Sequence, residues 1–469
     1  MTNIKSVFSS IIFLVLLCIF SCVCLPLSDA FHKDVPITLL FLFIGIFSSI
    51  GMTVNSQSRA FSIRFVFYFY CFSFMFCAGI TQFATGKFCW EFRPATEEVQ
   101  AANLYIILFL IIFSISNVKI FKEKNAQKKF SLLLHKQHRF KIIPFMLIEI
   151  VLLVCGLYAI IRGGGIKMLF SRESFSAYSF SSIINNTAIN QIVSAAITSS
   201  CIFCMVLSLN QLKIRKGIQS VLLVGMAAVA MFINVPPLAV PRFSFVCAYG
   251  GIFLYFSKWI KKGRRFAYIL AFGLLIVFPA LNAFRFASGK ITLEMIQASM
   301  GKIGDNFTNA DYDSYTMLVY CLRYVNVYGI TYGSQLLGAL LFFVPRNIWG
   351  SKPMGSGSLI IKSLAPSYIN QNVSCSFIGE GYLNWGGLGV CVFAFLLSKI
   401  SKKADDLYWE KERYIDGCFK NIYSYTALFS LFLFRGDLMS STAFLTGMIV
   451  VTIFLSYLFR EQSFVKINK

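Results

Sequence analysis

Apolar runs of about twenty residues recur along the whole chain, and they constrain its fold more than any other feature. About 20 apolar residues are needed to cross a bilayer as a helix. Hydrophobic residues make up 57% of the 469 residues and charged residues 13%, whereas a soluble domain carries about 25% charged residues. The composition therefore excludes a soluble enzyme, a disordered chain and a coiled coil, and it predicts an all-α integral membrane protein.

A sliding hydropathy window predicts about twelve transmembrane helices in a single polytopic membrane domain, residues 1–469. The first segment resembles a signal peptide, but Phe20 is too large for the small-residue position before a cleavage site. We therefore interpret it as the first transmembrane helix. The predicted helices span residues 7–27, 35–53, 62–83, 101–118, 142–161, 187–208, 218–235, 242–258, 266–284, 376–397, 419–434 and 442–459.

Basic residues are divided unevenly between alternate loops. The chain has 43 Lys and Arg against 20 Asp and Glu, an excess that would suggest a nucleic-acid partner in a soluble protein. Here most of the basic residues fall in one set of alternate loops, most densely at residues 119–141 and 258–265. Because cytoplasmic loops hold the positive charge, both termini are predicted to face the cytoplasm, with the lipid bilayer as partner and no nucleic acid.

The predicted outer loop at residues 285–375 is far longer than any other outer loop. A long ordered loop is usually functional. Within it, Ile330–Val344 is apolar but too short to span a bilayer, so we expect a re-entrant or interfacial helix there.

The stretch FFVPRNIWGSKPMGSG, from Phe342 to Gly357, places Arg346 and Lys352 where an apolar segment meets water, with Trp349 as an interfacial anchor. A diphosphate attached to a lipid lies at that depth. Arginine presents a planar fork that binds phosphate oxygens bidentately. The residues alone leave two interpretations open: a diphosphate site, or simple pairing with lipid headgroups.

Further arginines are predicted at the outer ends of helices. Any one of them is explained by a side chain that extends to the interface. Together they oppose the positive-inside bias and suggest an anionic ligand on the outer face. They are Arg162, Arg172, Arg242, Arg285 and Arg435.

Carboxylates lie near the same plane. Glu380, at the start of the tenth predicted helix, is our first candidate for a base that activates a hydroxyl, with Asp311 and Asp313 in reserve; Glu380 as the partner of an arginine is equally open. Asp311, Tyr312 and Asp313 match the DxD motif of metal-dependent nucleotide-sugar transferases. This motif lies on the predicted outer face, where no nucleotide sugars are expected. The aromatic side chains of Tyr312 and Trp349 are candidates for stacking on sugars.

No metal site or cofactor is predicted. His135 and His138 lie three residues apart in a basic loop that offers no further ligands. Cys89, Cys321 and Cys375 are predicted on the outer side, where a disulfide among them is left open.

Five residues in FVPRNIWGSKP, namely Pro345, Arg346, Trp349, Lys352 and Pro353, resemble the PR-x-x-W-x-x-KP signature of the bacterial oligosaccharide repeat-unit polymerases, also called O-antigen polymerases. The resemblance covers roughly the last two fifths of the chain. Supporting stretches are YGITYG at 328–333, GEGYLNWGGLG at 379–389 and FRGDL at 434–438.

The resemblance implies a membrane glycosyltransferase in the bacterial inner membrane, similar in fold to the multispanning GT-C enzymes. It would transfer a growing glycan from undecaprenyl diphosphate to a new lipid-linked repeat unit at the periplasmic face, using outer-face arginines and no cofactor. A chain-length regulator and a flippase are the protein partners it suggests. The matched motifs point to Arg346, Lys352, Arg435 and Glu380, whereas the other arginines rest on their placement alone.

Two other functions remain as alternatives. A flippase for the same lipid-linked oligosaccharide would line a central cavity with charges at mid-membrane depth, but apart from Glu149 the ionisable residues lie at helix ends. An O-antigen ligase is expected to use an outer-face histidine in its late loop, and His32, in the first short outer loop, is the one histidine predicted outside.

Overall fold

The computed structural model describes residues 4–116, 141–184, 187–261, 264–273, 277, 305–366, 373–410 and 417–459. Every regular element among these residues is a helix. Arg285 lies outside the described residues, as does the beginning of the outer loop that it was predicted to open.

The helices follow the apolar runs of the sequence. A π-helical segment, Cys71–Cys77, joins α4 and α5 into one continuous rod. The helices are α1 (Ile4–Cys24), α2 (Leu27–Lys33), α3 (Val35–Ser58), α4 (Ile63–Tyr70), α5 (Ala78–Thr85), α6 (Thr96–Ile115), α7 (Ile142–Arg162), α8 (Arg172–Tyr178), α9 (Thr187–Ile214), α10 (Ile218–Asn234), α11 (Arg242–Phe256), α12 (Arg265–Phe272), α13 (Ser314–Tyr328), α14 (Ser334–Leu340), α15 (Ser356–Leu364), α16 (Phe377–Glu410), α17 (Gly417–Arg435) and α18 (Leu438–Phe459).

Local signals explain where several helices begin. The Asp34 carboxylate accepts a hydrogen bond of 2.8 Å from the backbone N–H of Ile37, and Pro36 lies in the first turn of α3. The Ser62 hydroxyl accepts one of 3.0 Å from the N–H of Phe65. These are N-caps, which satisfy backbone donors that the helix itself leaves free.

Seven helices of the described residues are long and apolar enough to cross a membrane, so the chain is a multi-pass membrane protein. An eighth span results if α1 and α2, bent by 67°, are taken together. α10 and α11 are shorter apolar helices. Each of the twelve predicted segments overlaps a helix, but the number of crossings stays a prediction.

Contacts between loops follow the predicted division into two sides. At the end predicted to be cytoplasmic, Arg59 forms an ion pair with Asp406, and the Trp409 indole N–H donates to the Phe61 carbonyl at 2.8 Å. At the opposite end, which we call the outer end, Arg323 Nε donates to Glu98 at 2.7 Å. Loops assigned to one side from charge alone therefore meet one another in the fold.

The α4–α5 rod forms the centre of the bundle. It is a 23-residue span, and nearly all of its most apolar residues are buried inside the protein. Aromatic side chains fill its surroundings, and glycines on α3 let the helices approach, because a side chain at Gly51 would collide with the ring of Tyr68. The rod is therefore a reference for position along the bundle.

The late outer loop descends deep between the helices. The hydroxyl of Ser314, the first residue of α13, lies 3.0 Å from the hydroxyl of Tyr70, which is fifteen residues before Thr85 at the outer end of the rod. Gln82, three residues before Thr85, also donates to the Tyr312 carbonyl at 3.0 Å, so the start of α13 lies below the outer end of the rod. Phe377, the first residue of α16, lies below the outer end of α6, since its ring is 6.3 Å from that of Phe109, thirteen residues into α6.

α16 is a hairpin of two helical segments. The rings of Phe377 and Phe393 lie 5.1 Å apart, although sixteen residues of straight helix would separate them by about 24 Å. The chain reverses at Gly386, which has φ +61°, and a side chain at Gly389 would collide with the carbonyl of Gly381. The first segment therefore runs outward and the second runs back across the bundle, so the helix predicted at 376–397 is broken at Trp385 and Gly386.

The re-entrant or interfacial helix expected within Ile330–Val344 stays a prediction. Only Ser334–Leu340 of the apolar stretch is helical, and this short helix packs against α18, where a side chain at Gly338 would meet Met439 at 2.9 Å. The segments that descend are the start of α13 and the first half of α16. Both begin deep in the bundle and point their N-terminal ends at the same place.

Candidate active site

The N-terminal ends of the two descending helices meet an arginine. Arg435, the last residue of α17, donates to Asp313 at 3.2 Å and to the Ala310 carbonyl at 3.0 Å. The Ser374 hydroxyl donates to the same carboxylate at 2.7 Å. The Asp313 side chain is 2% exposed, so this is an ion pair largely shielded from water. A cation at the C-terminus of α17 is also favoured by the helix dipole.

A second ion pair lies beside the first. Arg242 donates to both carboxylate oxygens of Asp311 at 2.8 Å. Arg242 is the first residue of α11, where the helix dipole disfavours a cation, so its placement there is a cost to the helix that Asp311 offsets. The Asp311 side chain is 29% exposed, which leaves this carboxylate reachable from outside.

Glu380 and Asp437 hold the start of α18. Glu380 accepts hydrogen bonds from the Leu438 N–H at 3.0 Å and from the Ser356 hydroxyl at 2.8 Å. Asp437 accepts from the backbone N–H groups of Ser356 at 2.7 Å and Ser440 at 3.1 Å. Carboxylates at a helix N-terminus accept hydrogen bonds from backbone N–H groups of the first turn and are stabilised by the positive end of the helix dipole. The Glu380 side chain is buried and its contacts hold α15 and α18, so the geometry gives it a positioning role, and its role as a base stays a prediction.

These residues form one group, which we call the charged cluster: Arg242, Asp311, Asp313, Glu380, Arg435 and Asp437. Chain neighbours and the contacts above connect all of them. Four carboxylates against two arginines leave the cluster with an excess of acid.

The PR-x-x-W-x-x-KP stretch closes a turn at residues 342–353, which we call the basic turn. Arg346 donates to the carbonyls of Lys352 at 2.7 Å and Pro353 at 3.2 Å. Lys352 donates in return to the carbonyls of Phe342 at 2.6 Å and Val344 at 2.9 Å. Each cation therefore ties down the opposite arm of the turn, which explains the spacing between them.

The two cations of the basic turn lie close to each other without an acid. Neither Arg346 nor Lys352 forms an ion pair with a carboxylate in the part of the chain that the structure describes. Burial, and after it the charge of Arg346, lower the pKa of Lys352. Arg346 is exposed, and its carbonyl contacts use only part of the five N–H donors of a guanidinium. Such a pair is a ready site for an anion.

The basic turn adjoins the charged cluster. A side chain at Gly355, three residues after Lys352, would meet the Asp437 carboxylate at 2.9 Å, and one at Gly338 would meet Pro353 at 2.5 Å. The chain thus passes from two uncompensated cations to a group rich in carboxylates within a few residues.

The structure places the other predicted residues differently. Tyr312 is buried between the rings of Phe74, at 5.1 Å, and Phe307, at 5.0 Å, so it packs in the core instead of facing a sugar. Trp349 is partly exposed in the basic turn, where its indole N–H donates to Ser351 at 3.0 Å.

Arg162 and Arg172 lie at a different outer loop, residues 163–184, which Arg162 precedes as the last residue of α7. Arg162 is exposed and its guanidinium lies 3.4 Å from the hydroxyl of Ser182 in the same loop. Arg172 begins the short helix α8. The structure therefore brings Arg242, Asp311, Asp313, Glu380 and Arg435 together, and leaves these two arginines outside the charged cluster.

Sequence reasoning missed two serines and underrated one acid. Ser374 and Ser356 each donate to a carboxylate of the cluster, and a serine in a loop carries no sequence signal for such a role. Asp437 lies in the FRGDL stretch but is not among the residues predicted for the site. Among the described residues, no group of three or more His, Cys, Asp or Glu side chains is arranged to hold a metal ion.

An apolar groove of about 190 Å³ opens between α1, α12 and the α4–α5 rod. The ring of Phe307 lines the groove and also contacts Tyr312 between the two aspartates of the cluster. The groove is lined by Phe13, Leu16, Leu17, Phe20, Met52, Phe69, Phe72, Ser73, Cys77, Ala267, Tyr268, Ala271 and Phe307.

Comparison with protein-family models, with curated proteins and with solved structures gives no match for this chain. The functional argument therefore rests on the residues and their geometry.

Proposed function

We propose that this protein is a polymerase that joins undecaprenyl-diphosphate-linked oligosaccharide repeat units into a surface polysaccharide such as O-antigen. The observation that carries the proposal is the charge separation at the outer end of the bundle. Two cations without an acid partner lie in a turn that adjoins a group of carboxylates. Transfer of a glycan from a diphosphate to a hydroxyl needs both: cations for the leaving group and a carboxylate for the acceptor.

Arg346 and Lys352 would bind the diphosphate of the donor. The leaving group already carries negative charge, and that charge grows as the glycosidic bond breaks, so fixed cations stabilise the transition state more than the ground state. The carbonyl contacts that close the basic turn hold both cations in place before substrate arrives. Preorganisation of this kind lowers the energy needed to orient them.

Asp311 is the carboxylate best placed to accept the proton of the acceptor hydroxyl. It is the more exposed of the two paired aspartates, and Arg242 holds both of its oxygens. Asp313 is nearly inaccessible and Glu380 is committed to α18. Glu380 and Asp437 would instead keep α15, α16 and α18 in register around the site.

The apolar groove gives the polyprenyl tail of the donor a place to lie. Its wall reaches the charged cluster through Phe307 and Tyr312. A lipid tail in the groove would leave its diphosphate at the outer side of the same helices.

The proposal includes the finer architecture. The chain would cross the bacterial inner membrane about twelve times, with both termini in the cytoplasm and the site facing the periplasm, in an arrangement like that of the GT-C glycosyltransferases. No cofactor is required by this chemistry. A flippase that supplies the repeat units and a chain-length regulator are the proposed protein partners.

One observation favours a flippase as the second candidate. Glu149 is fully buried in the α7 span, and neither of its oxygens has a hydrogen-bond partner among the described residues. A carboxylate inside a membrane span is expensive and marks a transport pathway in many proteins. A flippase would lose its activity on Glu149→Gln, whereas the polymerase site lies at the outer end and would keep its activity.

Deletion of the gene in its native strain tests the proposal. Resolution of the surface polysaccharide by gel should show loss of the ladder while a single repeat unit is still displayed. Loss of the single unit as well would indicate failed export or ligation, in favour of a flippase or ligase. An unchanged ladder would remove the protein from the pathway.

A further inference from the structure

Two cysteines of the late outer loop face each other. The Sγ atoms of Cys321 and Cys375 lie 3.6 Å apart although the residues are 54 positions apart in sequence. Both side chains are fully buried. Cys321 lies on α13, and Cys375 lies in the short segment that leads into α16, so the pair joins the two elements that descend to the charged cluster.

Other buried cysteines do not share this arrangement. The thiol of Cys89 points at the backbone carbonyls of Thr308, at 3.5 Å, and Asn309, at 3.4 Å. Cys201 and Cys204 lie one turn apart on α9, within a membrane span. Among the thiol contacts of the described residues, the pair on the late loop is the one between two sulfur atoms.

We propose that Cys321 and Cys375 form a disulfide bond on the outer face of the membrane. This inference rests on the proposed orientation, because a compartment outside the cytoplasmic membrane is oxidising and the cytoplasm is not. The oxidant is a protein thiol oxidase of that compartment, which carries a disulfide of its own. One cysteine attacks that disulfide and forms a mixed disulfide, and the second cysteine then displaces the oxidant. One S–S bond forms, two S–H bonds are lost, and the oxidant leaves as a dithiol with both electrons and both protons.

The bond would form before the loop is fully packed. Contact with Cys321 and burial raise the pKa of Cys375, and a thiol that resists ionisation is a poor nucleophile. Once formed, the crosslink would fix the segment before α16 against α13. Ser374, the residue before Cys375, donates to Asp313, so the crosslink would hold one partner of the charged cluster.

Peptide mapping of the full chain from its native membrane tests this inference. Free thiols are blocked with one alkylating reagent under denaturing conditions, disulfides are then reduced, and the released thiols are labelled with a second reagent. We expect the second label on Cys321 and Cys375, a crosslinked peptide between them in the unreduced digest, and the first label on Cys89, Cys201 and Cys204. The first label on Cys321 and Cys375 would overturn the proposal, and so would a crosslink of either to another cysteine.

Variants separate the disulfide from the proposed function. The crosslinked peptide should be lost in Cys375→Ser and kept in Cys201→Ser, a matched change at another buried cysteine. The polysaccharide ladder reports the proposed function independently of the crosslink. If the crosslink is found but deletion of the gene leaves the ladder unchanged, the disulfide proposal stands and the polymerase proposal falls. If both thiols are free but deletion of the gene abolishes the ladder, the polymerase proposal stands and the disulfide proposal falls.

Discussion

Arg346 and Lys352 have two roles in this account. They close the basic turn through four carbonyl contacts, and they are proposed to bind a diphosphate with their remaining donors. The sequence predicted the pair as an anion site from the PR-x-x-W-x-x-KP pattern. It did not predict the carbonyl contacts, because backbone groups of a turn leave no signature in side-chain types.

Replacement of Arg346 tests the diphosphate role. Loss of one preorganised donor to a developing negative charge typically costs roughly 10²–10³-fold in rate. We therefore expect Arg346→Ala to abolish the polysaccharide ladder while an immunoblot still finds the protein in the membrane. Arg346→Lys keeps the charge but loses the planar fork, and it should lose most of the ladder too.

An arginine of another outer loop provides the control for that comparison. Arg93 is exposed, and its side chain makes no ion pair among the described residues, so Arg93→Ala should leave the ladder intact. A full ladder from Arg346→Ala would exclude the diphosphate role, and a full ladder from Arg346→Lys would exclude bidentate binding.

Replacement of Asp311 tests the base. Asn keeps the size of the side chain and an acceptor for Arg242 but cannot take a proton, and removal of a general base costs roughly 10²–10⁴-fold in rate. The initial rate of polymer formation by Asp311→Asn in membrane vesicles should fall accordingly, with Asp29→Asn, an exposed acid in α2, as the control. An unchanged rate would move the role back to Glu380 or Asp313.

α16 shows how a membrane segment can mislead a hydropathy window. Its apolar residues are continuous with those of a full crossing, so periodicity and hydropathy predict one helix. The reversal depends on backbone geometry at Gly386 and on the absence of side chains at Gly381 and Gly389. The glycines were visible in GEGYLNWGGLG, but nothing in the sequence told a hairpin from a loosely packed helix.

A glycine replacement tests the hairpin. A side chain at Gly389 must displace the Gly381 backbone, and overpacking of a close contact costs typically about 1–3 kcal/mol. We expect Gly389→Ala to lower the melting temperature of the detergent-solubilised protein. Gly225→Ala on α10, where no atom lies within 4 Å of the added carbon, should instead stabilise the helix by about 0.5–1 kcal/mol. Equal melting temperatures of the two variants would argue against the hairpin.

The division of the molecule into two sides was predicted from charge alone. The sequence indicated which loops share a side, because Lys and Arg are retained on the cytoplasmic side. In the structure, Arg59 contacts another loop of the predicted cytoplasmic set, and Arg323 contacts another loop of the predicted outer set. The charged cluster was less accessible to prediction. Asp313 and Arg435 are 122 positions apart, and only the descent of the loop brings them together.

Reporter fusions test the proposed orientation of the whole molecule. A reporter that works only in the cytoplasm should be active after Lys469, and one that works only outside it should be active when inserted at Lys362, which is exposed after the basic turn. The opposite pattern would place the charged cluster on the cytoplasmic side and remove the basis for the polymerase.

The central claim is that this chain alone joins lipid-linked repeat units. The most direct measurement reconstitutes the purified full-length protein in liposomes with an undecaprenyl-diphosphate-linked repeat unit and resolves the glycans by gel, with Arg346→Ala in parallel. The account predicts a ladder of polymers and released undecaprenyl diphosphate from the unaltered protein, and neither from the variant. Unchanged single repeat units in both reactions, from protein shown to be folded, would contradict it.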